Sequence, residues 1–218
     1  MRYRSLAVLV AAGLTVAACG SETPDYQSIW TTSSTPVSTS AAASTEPPVP
    51  FPEYLEGIGV TGEPVAATGL PDLTVTLPLP KGWAPYRNPN LSPQTEMIAR
   101  NGTYPTAMVL VFRLHGNFDV DEAIKHANAD ALRSKDFTKL NESFDKFDGF
   151  PSAMIEGSYA GPDGTRLHTY NRVVIPVTKA PAFVRYLVQF TVTSRADQAV
   201  ADSDDIQAII DGFAVSAK

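Results

Sequence analysis

Short β-prone segments separated by turn residues constrain the fold of this chain more than any other feature of its sequence. The segment from Ala107 to His115 alternates in its apolar residues, and the segment from Phe183 to Thr193 is the most β-prone. The turn Gly161-Pro162-Asp163-Gly164 separates two further β-prone segments, 153–160 and 166–177. Strands joined by tight turns pair in antiparallel fashion. The sequence therefore predicts an antiparallel sheet, with shorter strands at 73–78, 97–100 and 140–147.

Two segments carry the 3.6-residue period of a helix. The first begins at Asp119, which forms a capping-box-like pair with Glu122. Its apolar stripe consists of Val120, Ala123, Ile124, Ala127 and Ala131. The second is predicted to follow Ser194 as its cap, and its stripe consists of Ile206, Ile209, Ile210 and Phe213. Strands in hairpins with two helices predict an α+β fold, in which the helices pack on the faces of the sheet.

The N-terminus carries the features of a secreted, lipid-modified protein. Arg2 and Arg4 precede an apolar run to Ala18, which is too short for the ~20 residues of a membrane-spanning helix and is typical of a signal peptide. Small residues then lead directly to Cys19, the only cysteine of the chain. Val16-Ala17-Ala18-Cys19 resembles the bacterial lipobox, in which the cysteine thiol is acylated. The alternative is an ordinary cleavage site with Cys19 inside the signal peptide.

Composition divides the rest of the chain into a tether and a domain. Residues 1–18 are predicted to be the signal peptide, and 19–52 the acylated cysteine followed by a disordered Ser/Thr/Pro-rich tether. Residues 53–218 are predicted to form one domain. After removal of Arg2 and Arg4, 15 basic and 23 acidic residues remain, a formal net charge of −8. Such an acidic domain is not suited to nucleic acid, so we expect no nucleic-acid partner.

No motif in the chain indicates catalytic, metal or cofactor chemistry. The stretch Gly57-Ile58-Gly59-Val60-Thr61-Gly62 matches G-x-G-x-x-G, but Pro64 stands where the required helix would begin. The three histidines are far apart and lack metal-ligand spacing. We therefore predict a non-enzymatic protein with no cofactor, no metal and no catalytic residue. A hydrolase stays open as an alternative, and it would require a Ser or Asp beside His115 or His168.

Polar residues opposite the apolar rows of the strands are the candidate binding site. Met108, Leu110, Phe112 and Leu114 should pack against the first helical stripe, whereas Val109 and Val111 should line the other face. On that other face we expect the candidate ligand-binding residues Arg113, Tyr170, Arg172, Arg185 and Gln189. Arginines beside aromatic and apolar side chains suit the head group and chain of an amphipathic ligand. The alternative is a partly solvated face whose arginine stems cover apolar neighbours.

Several of these features together resemble one protein family. The lipobox and the tether are followed by Thr74-Val75-Thr76-Leu77-Pro78-Leu79-Pro80-Lys81-Gly82-Trp83, by the turn Gly149-Phe150-Pro151 and by Val174-Ile175-Pro176. This pattern resembles the mycobacterial LpqN/LpqT lipoproteins, and within them the LpqT members most. The resemblance implies a PsbP-like fold, an antiparallel sheet with helices on both faces. It also implies binding rather than catalysis, and it supplies no catalytic residue.

Two functions follow as expectations. The first is an accessory lipoprotein, anchored in the cell membrane on its extracytoplasmic side, that binds an amphipathic lipid or glycolipid. The alternative is an adaptor that docks to a membrane transporter or another protein partner. An apolar cavity between sheet and helix would favour the first, and a filled core with an exposed apolar patch would favour the second.

The lipobox generates a direct prediction. Cys19→Ala removes the acylated thiol, so the protein should leave the membrane fraction, because a net charge of −8 offers no attraction to an anionic lipid surface. The measurement is membrane fractionation followed by an alkaline wash. A variant that still sediments with membranes after the wash would contradict acylation as the anchor.

Overall fold

The computed structural model of the protein describes residues 48–218. The predicted signal peptide, the acylated Cys19 and nearly all of the predicted tether lie outside the described residues and stay predictions. The first element begins at Phe51, which is fully buried. The folded part therefore includes Phe51 and Pro52, two residues earlier than the predicted start of the domain at residue 53.

The described residues form ten strands and four short α-helices, in the order that follows. The elements are α1 (Phe51–Gly57), β1 (Thr61–Val65), β2 (Leu73–Thr76), β3 (Trp83–Pro85), β4 (Glu96–Arg100), β5 (Thr103–His115), α2 (Val120–Ala123), a 3-10 turn (Ile124–His126), α3 (Ala129–Leu132), β6 (Thr138–Ser143), β7 (Ser152–Ala160), β8 (Arg166–Val174), β9 (Arg185–Arg195), α4 (Ser203–Gly212) and β10 (Ala214–Ala217).

Eight strands form one antiparallel sheet in the order β3-β4-β5-β9-β8-β7-β6, and β1 pairs with the end of β5. The 13-residue β5 is long enough to pair with β9 along one side and with β4 and then β1 along the other. Strands β2 and β10 form a separate antiparallel pair. The α+β class and the antiparallel sheet that the sequence predicts are confirmed.

One face of the sheet, here called the α1 face, is covered by α1, α2 and the 3-10 turn. Its strands contribute Met108, Leu110, Phe112, Leu114, Val173 and Leu187, and its helices contribute Phe51, Leu55, Ala123, Ile124 and Ala127. The predicted packing of the apolar row of β5 against the first helical stripe is therefore confirmed. The α1 helix is further held by Tyr54, whose ring stacks on His126 at a centroid distance of 3.8 Å.

The opposite face, here called the α4 face, is covered by α4 and the β2–β10 pair. Its buried residues include Val109, Val111, Tyr186, Val188, Phe190, Ile206, Ile209, Phe213 and Val215. The Phe213 ring stacks on Phe190 at 4.1 Å. Arg100 forms ion pairs with Asp202 and Asp205 at 3.2 and 3.1 Å, which tie the beginning of α4 to β4. Val109 and Val111 are therefore core residues and not the floor of an open binding face, because this second layer covers them.

Two local predictions from the sequence differ from the structure. Ser194 does not cap a helix, because β9 continues through Arg195 and α4 begins only at Ser203. The helix expected from Asp119 is divided into α2, the 3-10 turn and α3, although the Asp119 carboxylate does accept the predicted bond from Glu122 N–H at 3.2 Å. Asn128 lies between the 3-10 turn and α3, and its side chain donates to the Met154 carbonyl in β7.

The glycine-rich stretch at 57–62 connects α1 to β1. Gly57 is the last residue of α1, and Gly62 lies inside β1, paired with Leu114. The stretch therefore follows a helix and enters a strand, the reverse of the strand-to-helix order that a dinucleotide site requires. Strand β1 was not predicted, since its sequence contains a glycine and a proline. An edge strand tolerates proline, whose nitrogen donates no bond to the ladder.

Gly157 in β7 provides a test of the packing at the β6 edge. A Cβ atom there would lie 2.5 Å from Phe137 Cζ and 2.6 Å from the Thr138 carbonyl oxygen. Gly157→Ala should therefore lower the free energy of unfolding by about 1–3 kcal/mol, measured by urea denaturation. The control is Gly57→Ala at the end of α1, where a Cβ atom would meet nothing within 4 Å. Equal stability of the two variants would contradict the close approach of β6 to β7.

Candidate functional site

A cavity of about 290 Å³ lies on the α1 face, between the sheet and the helical layer. Strands β5, β7, β8 and β9 form its floor, and α3, the start of α1 and Ala127 form its other walls. Its lining consists of Pro50, Pro52, Glu53, Leu110, Ala127, Asp130, Ala131, Ser134, Ile155, Tyr159, Thr169, Asn171, Arg172, Val173, Gln189, Phe190 and Thr191.

Small side chains in the helical layer leave this space open. The stripe that faces the sheet ends in Ala127 and Ala131, and neither reaches across to Leu110, Ile155 or Val173. On the α4 face the corresponding positions carry isoleucine and phenylalanine, which fill the core. Leu110, Ile155 and Val173 form the apolar part of the floor, and apolar surface buried by a ligand there would contribute ~25 cal/mol per Å².

Uncharged polar side chains of β8 and β9 form the polar part of the floor. Asn171 Nδ2 donates to Thr169 Oγ1 at 3.1 Å, and Thr191 Oγ1 donates to Asn171 Oδ1 at 2.9 Å. Gln189 lies between Leu110 and Val173 in the ladder, and its amide bonds to no other described residue. An amide can donate two hydrogen bonds and accept two, so Gln189 is free to bind a ligand hydroxyl or carbonyl group.

The mouth of the cavity is acidic. Asp130 Oδ2 accepts a bond from Phe51 N–H at 3.4 Å, which links α3 to the beginning of α1. Desolvation raises the pKa of Asp130, and the bond from Phe51 N–H and the charge of Arg133 oppose that effect. Glu53, which also lines the cavity, raises the same pKa further through charge repulsion. Two carboxylates at the mouth disfavour an anionic group there.

The five predicted ligand-binding residues do not share one face of the sheet. Arg113 pairs with Tyr186 in the ladder, so Arg113, Tyr170 and Arg172 lie on the α4 face, whereas Arg185 pairs with Leu114 and lies with Gln189 on the α1 face. The expectation of a single face is therefore wrong. Alternation divides the residues of one strand between its two sides. It does not show which side of the next strand faces the same way, and this is why the expectation failed.

On the α4 face the predicted residues hold the structure together. Arg172 donates to Tyr170 Oη at 2.9 and 2.7 Å and to Ser152 Oγ at 3.1 Å, and its guanidinium lies 4.5 Å from the centroid of the Phe147 ring. Arg172 borders the cavity through its position in β8, but its guanidinium is bound on the opposite face. Burial raises the pKa of Tyr170, so its hydroxyl stays protonated at neutral pH.

Arg113 is bound in a similar way. Its Nη2 donates to Tyr186 Oη at 3.4 Å, and that hydroxyl donates to Asp72 Oδ1 at 2.8 Å. This connection joins β5 and β9 to the segment that precedes β2. On the α1 face, the Arg185 guanidinium lies 5.5 Å from the centroid of the Phe118 ring. Of the five predicted residues, Gln189 alone has a side chain on the cavity side together with a place in the cavity lining.

The reasoning from sequence missed Thr169, Asn171 and Thr191 as site residues. All three are polar side chains on the α1 face, whose buried core residues are apolar. A signal for them exists in the sequence, since polar residues two apart occur in two β-prone segments, Thr169 with Asn171 and Gln189 with Thr191. Two polar pairs that interrupt apolar rows on adjacent strands indicate a polar patch inside the fold.

Two of the three histidines, His115 and His168, each have a glutamate partner. His168 Nε2 lies 3.0 Å from Glu156 Oε1, and His115 Nε2 lies 3.6 Å from Glu63 Oε2 at the surface. Ser194 is opposite His168 in the ladder, but its buried Oγ has no hydrogen-bond partner among the described residues. Within residues 48–218 no cluster of three or more His, Cys, Asp or Glu side chains could hold a metal ion.

Comparison with known proteins identifies the family. A family model described as "Probable lipoprotein LpqN" matches residues 47–216, which is most of the chain. The chain belongs to the LpqN lipoprotein family. The resemblance that the sequence motifs indicate is therefore confirmed.

Relatives of the LpqN family match nearly the whole chain. Lipoprotein LpqT of Mycobacterium tuberculosis is 54% identical over 218 residues, covering 99% of this chain and 95% of the relative. Lipoprotein LpqT of Mycobacterium leprae is 50% identical over 212 residues, covering 97% and 95%. These names describe lipoproteins and state no enzymatic activity.

The crystal structure of LpqN from Mycobacterium tuberculosis shares the fold of this family member. It superposes with a TM-score of 0.66 at 18% identity, covering 78% of this chain and 99% of that chain. LpqN is described there as involved in cell envelope biogenesis. Among the described residues of the present chain, no helix has the length and apolar character needed to cross a membrane.

The structural role of Arg172 can be tested. Arg172→Ala should lower the free energy of unfolding by about 2 kcal/mol, because the buried Ser152 and Tyr170 hydroxyls lose a charged partner. Urea denaturation measures the change. Arg195→Ala on the neighbouring strand is the control, since Arg195 pairs only with the nearby Asp197 at the surface, and it should leave the midpoint nearly unchanged. An Arg172→Ala protein of unchanged stability would contradict the structural role.

Proposed function

We propose that this chain is a lipid-anchored lipoprotein of the mycobacterial cell envelope that binds part of an amphipathic lipid or glycolipid without chemically changing it. The cavity on the α1 face carries this proposal. Its floor combines apolar side chains of β5, β7 and β8 with the uncharged polar groups of Asn171, Gln189 and Thr191. That combination matches a ligand with an apolar chain and a hydrogen-bonding head group.

The volume of the cavity limits what it can hold. At about 290 Å³ it is at the lower end of the ~300–1,000 Å³ of small-molecule sites, with room for about ten water molecules. A whole membrane lipid is larger than this. The cavity would hold one portion of the ligand, and the rest would extend through the mouth beside Glu53 and Ser134.

The charges of the site favour an uncharged head group. Arg172 is the sole arginine or lysine in the cavity lining, and its guanidinium is bound to Tyr170 and Ser152 on the opposite face. The side chains available to a head group are the Gln189 amide, the Asn171 and Thr191 pair and the hydroxyl of Ser134. These groups bind hydroxyl and carbonyl groups, whereas Glu53 and Asp130 would repel a phosphate.

The anchor and location belong to the same proposal. Acylation of Cys19 by a diacylglyceryl group and a further palmitate would hold the protein on the extracytoplasmic side of the cell membrane, since each buried CH₂ contributes ~0.8 kcal/mol. The lipoprotein names of the relatives support an anchored protein. The involvement of LpqN in cell envelope biogenesis supports a role in the same compartment.

An adaptor that docks to a membrane-protein partner is the second candidate. Leu140 and Phe144 favour it, because they keep 62% and 47% of their surface exposed at and beside the edge strand β6. Exposed apolar side chains at a sheet edge suit a protein interface. Lys139 and Glu142, which pair with each other on the same strand, oppose strand addition at this edge.

Filling the cavity tests the binding proposal. Ala131→Phe places a ring in the space between α3 and the floor, so the mature protein, purified in detergent from its own membranes, should lose its bound lipid in native mass spectrometry. Ala208→Phe, on the exposed side of α4, is the control and should retain it. The unmodified protein should carry bound lipid. A protein without lipid, or equal retention by both variants, would contradict the proposal and favour the adaptor.

A further inference from the structure

Three threonines lie side by side on the α1 face, one on each of three neighbouring strands. Thr106 of β5 is paired with Thr193 of β9, and Thr193 is paired with Thr169 of β8. Each is an even number of positions from a core residue of the α1 face on its own strand, namely Met108, Leu187 and Val173. Because side chains alternate along a strand, all three threonines share that face. They are called the threonine row below.

The threonine row is buried, yet two of its hydroxyl groups have no partner. Thr106 and Thr193 keep only 9% and 8% of their surface exposed. No hydrogen bond joins either hydroxyl to another described residue. Both oxygens keep some accessible surface, because the fully enclosed hydroxyl oxygens without a partner belong to Thr95 and Ser194. A buried hydroxyl without a partner destabilises a fold, whereas valine has the same shape and does not, so the two hydroxyls indicate a bound group.

The threonine row continues the polar part of the cavity floor. Thr191 Oγ1 donates to Asn171 Oδ1, and Asn171 Nδ2 donates to Thr169 Oγ1. This chain of hydrogen bonds ends at Thr169, whose own O–H hydrogen has no acceptor among the described residues. Thr169 lines the cavity, and Thr193 is the next residue of the ladder. The polar floor therefore extends beyond the cavity lining, across β9 to β5.

Polar side chains become more frequent along the α1 face in the direction of the threonine row. The successive rows across β5, β9 and β8 are Leu110–Gln189–Val173, Met108–Thr191–Asn171 and Thr106–Thr193–Thr169. They contain one, two and three polar residues in turn. A ligand with an apolar and a polar part is therefore matched in one orientation, with its polar part over the threonine row.

The charges around the threonine row favour an uncharged group. The basic residues near the row in the strand pairing are bound to carboxylates, Lys139 to Glu142 at 2.6 Å, Arg195 to Asp197 at 3.2 Å and Arg100 to Asp202 at 3.2 Å. A phosphate or carboxylate would therefore meet no unpaired cation among them. Each threonine hydroxyl can donate one hydrogen bond and accept others, and three strands place these hydroxyls across about 10 Å. Several hydroxyl groups on one ligand would satisfy them together.

We propose that the threonine row is a head-group subsite, in which Thr106 and Thr193 select a ligand whose uncharged head group carries several hydroxyl groups. The apolar part of the same ligand occupies the cavity beside Leu110 and Ala131. This inference rests on the proposed function of the cavity. It adds the orientation of the ligand and two residues that lie outside the cavity lining.

Removal of the two hydroxyls tests the subsite. Thr106→Val together with Thr193→Val keeps the shape of both side chains, in a mature Cys19→Ala chain that requires no detergent. Calorimetric titration with decyl glucoside should give a Kd raised roughly tenfold, because two hydrogen bonds are lost. Titration with 1-decanol should give an unchanged Kd, because its chain binds the apolar floor. The urea midpoint without ligand should not fall, since valine leaves no unpaired group.

The control is Thr74→Val together with Thr76→Val, two exposed threonines of β2. This double variant should bind both probes as the unmodified chain does. An unchanged Kd for decyl glucoside in the Thr106 and Thr193 variant would overturn the subsite. Equal weakening of both probes, or a lower urea midpoint, would also overturn it, because the threonines would then act through packing.

The two probes separate this inference from the proposed function. If both probes bind the unmodified chain and neither responds to the threonine substitutions, the cavity binds amphipathic ligands and the subsite alone is contradicted. If neither probe binds the unmodified chain, the proposed function is contradicted, and the subsite that rests on it is contradicted as well.

Discussion

The antiparallel pairing of β5 with β9 is the interaction on which the rest of the structure depends. It runs from Thr106 paired with Thr193 to Leu114 paired with Arg185, and most of its residues on both faces are apolar and buried. Because both faces must be removed from water, the pair requires one layer of structure on each side. The β2–β10 pair and α4 provide one layer, and α1 with the short helices provides the other.

The two layers differ in how completely they fill the space over the sheet. The α4 face is closed by large rings and branched chains, with Phe213 stacked on Phe190 and Ile209 fully buried. The α1 face is covered by short helices whose stripe is rich in alanine, and a cavity stays open beneath Ala131. Well-packed interiors leave few voids, so a cavity of this size on the α1 face is the candidate site for function.

The positions of the arginines follow from the same asymmetry. Arg113 and Arg172 are bound to tyrosine hydroxyls on the filled face, where they connect neighbouring segments. The cavity face has uncharged polar groups in its floor and carboxylates at its mouth. A charged side chain in a strand is thus no guide to a binding site until its face and its partners are known, because arginine serves equally well as a structural donor.

The sequence by itself determined the strand alternation, the antiparallel α+β class, the Asp119 cap, the family and the residues that pack beneath the first helical stripe. Each of these depends on periodicity, on neighbouring residues or on motifs, which a single sequence contains. The tertiary structure decided that Val109 and Val111 are covered, that Arg113 and Arg185 lie on opposite faces, and that Asn171, Gln189 and Thr191 meet in one cavity. The physical reason is that apolar and polar residues alternate along a strand with a period of two, which does not say which face of the sheet each set occupies. That face is set only when distant strands pair in register. A cavity likewise arises from the fit between layers, and no local pattern in the sequence contains that fit.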